Sequence, residues 1–136
     1  MSTIRSYREL DVWKQARSLV KSVYQLSNNF PKPEQYGLVS QLRRAAISVP
    51  SNIAEGCGGN HYKDSLQFFF VARGSLYEIE TQLILSSDLG FILEDELNKE
   101  LEQVTQCRKL LNGLINYFHK QSDDNQPQTV NGRNYT

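Results

Sequence analysis

Apolar residues recur every three or four positions along almost the whole chain, and no segment keeps a strict alternation of apolar and polar residues. Steps of three and four place side chains on one face of an α-helix, whereas a strand needs a period of two. The pattern therefore predicts an all-α protein with four amphipathic helices. Their predicted buried faces are Val12, Trp13, Ala16, Leu19, Val20, Val23 and Leu26; Leu38, Leu42, Ala45, Val49 and Ile53; Leu66, Phe69, Phe70, Leu76, Ile79 and Leu83; and Leu97, Leu101, Val104, Leu111, Ile115 and Phe118.

Proline and glycine clusters separate these segments and keep the connections short. Four long helices with short connections form an up-down-up-down antiparallel four-helix bundle. Residues outside it are a short N-terminal extension and a polar, disordered C-terminal tail. The predicted bounds are 1–6 for the extension, 7–28, 34–56, 62–88 and 94–120 for the helices, 7–120 for the bundle, and 121–136 for the tail.

Pro50 and Gly74 lie inside predicted helices and conflict with helix propensity. Pro50 removes a backbone hydrogen bond and predicts a kink in the second helix. The alternative is a break with a restart at Ser51 or Asn52, where Asn52 and Glu55 have the spacing of a capping box. Gly74 costs up to about 1 kcal/mol relative to alanine in the third helix, which predicts that a neighbouring helix backbone approaches it closely.

Composition excludes several classes of protein. The 136 residues suit one domain with its own core, and 15 Lys+Arg balance 15 Asp+Glu. The balance hides an asymmetry, since residues 1–60 carry eight bases against four acids and residues 61–136 seven against eleven. No apolar run reaches the length of a signal or a membrane span. With Cys57 and Cys107 as reduced thiols, we expect a cytoplasmic protein with no membrane partner.

No motif proposes catalysis, a cofactor or a metal, so we expect a protein that is not an enzyme. Cys57, His61, Cys107 and His119 are scattered over three segments, unlike the spaced ligands of a structural zinc site. The glycines at 56–59 lack the Gly-Lys-Ser/Thr ending of a phosphate loop and fit a helix stop. The glutamates of the last two helices lack the Glu-x-x-His pairs of metal-binding bundles.

Basic side chains in the first half suggest a nucleic-acid interface. Lys14, Arg17 and Lys21 form a stripe beside the buried face of the first helix, and Arg43 and Arg44 lie on the second, which packs against the first. A phosphate backbone is attracted to such a patch. The alternative is an ordinary solvated face.

The third helix has an unusually wide apolar arc, with Phe68, Val71 and Tyr77 outside its main stripe. Such surfaces on a bundle often form subunit interfaces, although a broad core-facing stripe is the alternative. Arg73 lies beside the buried stripe and needs a carboxylate or carbonyl partner, in its own subunit or across a subunit boundary. We therefore take Phe68, Val71, Arg73 and Tyr77 as candidate interface residues.

Four stretches carry a resemblance that spans roughly residues 7–119. They are YRELDVWKQA (7–16), LRRAAISVPSNIAEG (42–56), FFVARGSLYE (69–78) and LLNGLI (110–115). Together they resemble the bacterial four-helix-bundle family encoded in intervening sequences of large-subunit ribosomal RNA genes. The resemblance implies a bundle that assembles as a ring-like homopentamer. A related branch, the accessory variability protein of diversity-generating retroelements, is strongly basic, binds nucleic acid and partners a reverse transcriptase; the net charge of zero here departs from that branch.

These lines give one leading hypothesis and one rival. The leading one is a non-enzymatic homo-oligomeric scaffold whose partner is RNA or a nucleoprotein, held by the basic face of the first two helices. The rival is a protein-interaction or assembly module that has no nucleic-acid role.

Overall fold

The apolar stripes of four α-helices meet in one core, and the described residues contain no strand. The structure, a computed structural model, describes residues 6–125. The helices are α1 (Asp11–Ser27), α2 (Leu38–Cys57), α3 (Tyr62–Asp88) and α4 (Glu94–Asn125). Two short 3-10 helices, Tyr7–Glu9 and Lys32–Glu34, precede α1 and α2. The predicted all-α class is thus confirmed.

Each helix packs against its two neighbours, α1 on α2, α2 on α3, α3 on α4 and α4 on α1, and among the described residues the diagonal helices bring no Cα atoms within 8 Å of each other. Contacts pair early residues of one helix with late residues of the next, as where Arg43 meets Ser27 and Ser22 meets Glu100. The helices are therefore antiparallel neighbours. All four contribute fully buried side chains, among them Leu19, Leu42, Leu76 and Leu111. At the core's aromatic end, Phe69 and Phe118 pack edge to face with ring centroids 4.8 Å apart.

The first two helices begin later than predicted. Ser6 accepts a hydrogen bond from the backbone nitrogen of Arg8 at 3.2 Å and starts a 3-10 turn, after which Leu10 is extended and α1 begins at Asp11. Pro31 and Pro33 confine the next segment to a short 3-10 helix, so α2 begins at Leu38 and not near Glu34.

The last helix is longer than predicted, because α4 continues to Asn125. The predicted tail at 121–136 therefore begins at least five residues too early, and its remainder lies outside the described residues. The predicted N-terminal extension lies outside them too, apart from Ser6.

The second helix runs without interruption through Pro50. The alternative of a break and restart near Ser51 is therefore wrong, whereas the kink stays a prediction. Asn52 does not cap a new helix; its side-chain amide donates to the Ser48 carbonyl at 2.8 Å and to Ser48 Oγ at 2.9 Å. Ser75 of α3 donates to the same Ser48 hydroxyl at 2.9 Å, so this polar group joins α2 to α3.

Of the two glycine predictions, the close backbone approach at Gly74 is wrong, whereas the helix stop at 56–59 is confirmed, since α2 ends at Cys57 with Gly58 as its C-cap. A methyl group at Gly74 meets nothing within 4 Å, so no neighbouring backbone of the subunit explains that residue. Gly56 lies inside α2 and is buried, and a Cβ there lies 2.5 Å from Cε1 of Phe69. The stop that follows is right-handed at Gly58 (φ −87°), not left-handed. The left-handed glycine of the described chain is Gly90 (φ 80°), in the turn between α3 and α4.

Candidate nucleic-acid interface

The three bases predicted on α1 lie on its solvent face as expected. Lys14, Arg17 and Lys21 are all exposed. The guanidinium of Arg17 lies 5.5 Å from the centroid of the Trp13 ring, where cation and ring attract each other. The side-chain ammonium groups of Lys14 and Lys21 make no hydrogen bond or ion pair with the described part of the chain. These two ammonium groups are therefore available to a ligand.

Arg43 differs from the other predicted bases because the subunit already uses its guanidinium. Its Nε donates to Ser27 Oγ at 2.9 Å, and one terminal nitrogen donates to Asn28 Oδ1 at 3.0 Å and to the Tyr24 carbonyl at 3.3 Å. The same group lies 4.4 Å from the Tyr24 ring centroid. A cation at a helix C-terminus is favoured by the helix dipole and by the free carbonyls there. Arg43 therefore fastens α2 to the end of α1.

Arg44 is exposed and lies on a different side of α2. Consecutive residues of a helix point about 100° apart, so Arg43 and Arg44 leave α2 in different directions. The structure thus brings Lys14, Arg17 and Lys21 together on α1, leaves Arg44 exposed on α2, and gives Arg43 a role inside the fold.

An aromatic groove, which the sequence did not reveal, runs beside the α1 bases. It has a volume of about 380 Å³ and lies between the first 3-10 helix, α1 and α2. The rings of Tyr7 and Trp13 pack edge to face in it, with centroids 5.3 Å apart, and Arg8 lies 6.0 Å from the Tyr7 ring. The sequence pattern places Trp13 on the buried face of the first helix, and its half-buried ring both packs against the core and lines the groove. The sequence signal for the groove is the position of Trp13 next to Lys14 and one turn before Arg17. The groove is lined by Tyr7, Trp13, Arg17, Val20, Ile47, Pro50, Ser51 and Ala54.

The candidate interface residues on α3 fall into two groups. Val71 and Tyr77 are 53% and 51% exposed. Phe68 is half-buried and lines a groove at the α2–α3 turn. Arg73 has the expected carbonyl partner within its own subunit: it donates to the side-chain amide oxygen Oδ1 of Asn112 at 3.0 Å, and it lies 5.3 Å from the centroid of the Phe70 ring.

Tyr77 is also linked to α4. The guanidinium of Arg108 lies 5.3 Å from the Tyr77 ring and 3.7 Å from Oε1 of Glu80. Arg73 therefore joins α3 to α4 through its hydrogen bond to Asn112, and Arg108 joins the same helices through Tyr77 and Glu80. Val71 and Tyr77 remain about half exposed.

A buried polar cluster joins α1 to α4 at the other end of α1. The Ser22 hydroxyl donates to Oε2 of Glu100, and the Gln103 amide donates to Ser22 Oγ at 3.3 Å. Glu100 is buried, and its Oε1 atom and that of Gln103 have no hydrogen-bond partner. Burial raises the pKa of the Glu100 carboxyl above its usual value, the nearby charge of Glu96 adds to the rise, and the Ser22 hydrogen bond opposes it.

The two thiols are free and buried enough to be poor nucleophiles. Burial raises the pKa of Cys57 to about 11 and that of Cys107 to about 12. Among residues 6–125, no group of three or more His, Cys, Asp or Glu side chains is arranged to hold a metal ion. Nor does any helix in that range have the length and apolar character needed to cross a bilayer.

Fold and surface together define an all-α bundle of four antiparallel helices with a basic, aromatic-flanked face on its first helix. The chain belongs to the 23S rRNA-intervening sequence protein family, whose model it matches over residues 8–113. It is also similar to a crystal structure from Bacteroides thetaiotaomicron, described as a protein with unknown function from the S23 ribosomal protein family. The two share 20% identity with a TM-score of 0.69, over 76% of this chain and 97% of that one. No curated protein matches the chain.

Proposed function

We propose that this protein is a non-enzymatic, homo-oligomeric helical scaffold of the cytoplasm that binds RNA, alone or within a nucleoprotein, through the exposed bases of α1. The observation that carries the proposal is that Lys14, Arg17 and Lys21 share one solvent face and that both ammonium groups lack a partner in the described chain. Arg44 adds a separate contact from α2. Arg43 is left out, because its donors already hold α1.

Assembly strengthens a weak basic face. One subunit offers only a few phosphate contacts, and each contact contributes modestly at physiological salt. A ring-like homopentamer, which the family resemblance implies, presents the α1 face five times, and linked weak sites bind far more tightly than one. The family's own description refers to an intervening sequence of 23S rRNA, which is consistent with an RNA ligand.

The test compares two double charge reversals with the same change in net charge. Lys14→Glu/Lys21→Glu alters the proposed face, and Lys109→Glu/Lys120→Glu alters exposed bases of α4. RNA affinity is measured across a series of salt concentrations. We expect the α1 variant to bind more weakly and to lose about 0.7 of the slope of log K against log salt for each phosphate contact removed. The α4 variant keeps most of the affinity; equal losses in both variants, or salt-insensitive binding by the parent, contradict the proposal.

The rival function, an assembly module without a nucleic-acid role, draws on the exposed Val71 and Tyr77 of α3. It predicts a specific protein partner and no response to the α1 charge reversals. The same salt series therefore separates the two functions.

A further inference from the structure

The aromatic groove gives the α1 face a chemistry that charge alone does not provide. Val20, Ile47 and Ala54 form apolar walls, and Arg17 is the charged residue of the lining. Ile47 remains 44% exposed there, although it is a large aliphatic side chain. A groove of about 380 Å³ with apolar walls favours a flat, weakly hydrated group over a phosphate.

Two aromatic rings of the groove lie between two guanidinium groups, of which Arg17 belongs to the groove lining and Arg8 lies outside it. Arg8 lies over Tyr7 at 6.0 Å, Tyr7 meets Trp13 at 5.3 Å, and Arg17 lies over Trp13 at 5.5 Å. Rings and guanidinium planes of this kind stack on nucleobases whatever the base identity, because every base has a π-face. The guanidinium of Arg17 can also stack on a base while it attracts the adjacent phosphate.

Charge complementarity fixes the class of occupant. The lining contains no acidic residue, and Lys14 and Lys21 lie three and four residues from Arg17 on the same helix. An anionic backbone along these ammonium groups places its bases beside the groove. A cationic peptide, by contrast, would meet three like charges there.

We infer that the aromatic groove accepts an unpaired base of single-stranded RNA, whose phosphates run along Lys14, Arg17 and Lys21. The inference rests on the proposed function, since it names the form of RNA that the same face selects. Bases in a duplex remain stacked on one another, so a duplex offers this face its phosphates only. The protein should therefore distinguish single strands from duplexes.

Trp13 is the chain's one tryptophan, so its fluorescence reports on the groove directly. The first measurement titrates the parent with a single-stranded oligoribonucleotide and with a fully paired RNA duplex that has the same number of phosphates. We expect the single strand to quench Trp13 emission and to bind about tenfold more tightly than the duplex, as one stacked base allows. Equal quenching by both RNAs, or none by either, overturns the inference.

The second measurement separates stacking from charge. Arg17→Lys keeps the positive charge and loses the planar group, and Arg108→Lys makes the same change on α4, outside the groove lining and the α1 face. We expect Arg17→Lys to weaken single-strand binding about fivefold with an unchanged salt slope, because the lost contribution is stacking. Arg108→Lys should bind like the parent. Circular dichroism of each variant checks that the helices are intact.

These outcomes also separate the inference from the proposed function. If RNA binding depends on Lys14 and Lys21 but Arg17→Lys binds like the parent, the face is purely electrostatic and only the inference fails. If the parent binds no RNA, both fail.

Discussion

At the scale of single residues, Arg43 and Arg44 show how one step along a helix separates a structural from a surface role. Both are visible in the sequence as bases on the second helix. The partners of Arg43, however, are Ser27 and Asn28 at the end of another helix, and only packing brings them within 3.0 Å. Sequence spacing predicted the exposed positions of Lys14, Arg17 and Lys21 correctly, because exposure follows from helix periodicity alone.

Glu100 is the residue with the clearest pH dependence. Its carboxyl pKa is raised in the folded state, so the folded protein holds this proton more strongly than the unfolded chain does. The stabilisation that this bound proton gives to the folded state is fully present below about pH 4.5, the pKa of the carboxyl in the unfolded chain. It is lost as the pH rises through the higher pKa of the folded protein. Above that range this contribution is absent, while Oε1 stays buried without a hydrogen-bond partner.

We therefore predict that Glu100→Gln raises the free energy of unfolding at pH 7.5 by about 1 kcal/mol, because an amide of the same shape has no ionisation for burial to oppose. Denaturant unfolding at pH 5 and pH 7.5 measures the effect, and the gain should be smaller at pH 5. The exposed Glu102→Gln serves as the control and should change little. A Glu100→Gln protein that is less stable than the parent at pH 7.5 contradicts the prediction.

At the scale of elements, the contact of α2 with α3 depends on a missing side chain. Gly56 is buried against Phe69, and the ring atoms Cε1 and Cδ1 would lie 2.5 and 2.9 Å from a Cβ at that position. Phe69 is fully buried and packs on Phe118, so it has little room to move. The glycine therefore permits close helix approach.

Gly56→Ala should destabilise the protein by about 1–3 kcal/mol, the usual cost of overpacking a filled core. Gly58→Ala, two residues later, adds the same methyl group where the nearest atoms lie 3.7 Å away, and we expect a change within about 0.5 kcal/mol. Thermal and denaturant unfolding of both variants give the comparison. Similar losses in the two proteins would show that Gly56 acts through backbone freedom and not through the Phe69 contact.

Helix periodicity predicted four helices and most of their buried faces, but it predicted their ends less well. Two features that determine these ends have no apolar pattern in the sequence. They are the hydrogen bond from Arg8 to Ser6 and the extension of α4 to Asn125. Gly56 and Gly74, both inside helices, have the same propensity cost, yet a Cβ at Gly56 meets a buried ring and one at Gly74 meets open space. Distinguishing them requires the neighbouring helix, which a local pattern does not contain.

At the scale of the whole molecule, the bundle brings the basic and acidic halves of the sequence into contact along α1. One side of α1 borders the aromatic groove with α2, and the other borders a groove of about 290 Å³ with α4, lined in part by Glu96 and Glu100. The net charge of zero therefore describes no single surface. It is the sum of a basic face and a partly acidic groove, which lie on two sides of α1.

The exposed part of α3 gives a prediction about assembly. If Val71 lies in the proposed subunit interface, Val71→Asp introduces a charge that cannot be buried without a large cost. We expect the parent to form a five-subunit species in native mass spectrometry and Val71→Asp to shift it to smaller species, with the helical content unchanged.

Leu85→Asp is the matched control, since Leu85 is a 46% exposed apolar residue of the same helix outside the candidate interface. It should leave the number of subunits as in the parent. A monomeric parent, or an assembly that tolerates Val71→Asp, contradicts the prediction.

The burial of the two thiols makes the protein convenient to label. With a pKa of about 11, Cys57 is ionised in only about one molecule in ten thousand at pH 7, and Cys107 in fewer. Maleimides and disulfide reagents attack the thiolate. A cysteine introduced on the outer surface, for example at Thr81, reacts far faster than either native thiol. Dyes or cross-linkers can thus be attached at one chosen point per subunit with Cys57 and Cys107 left in place, and the subunits counted and their spacing measured in solution.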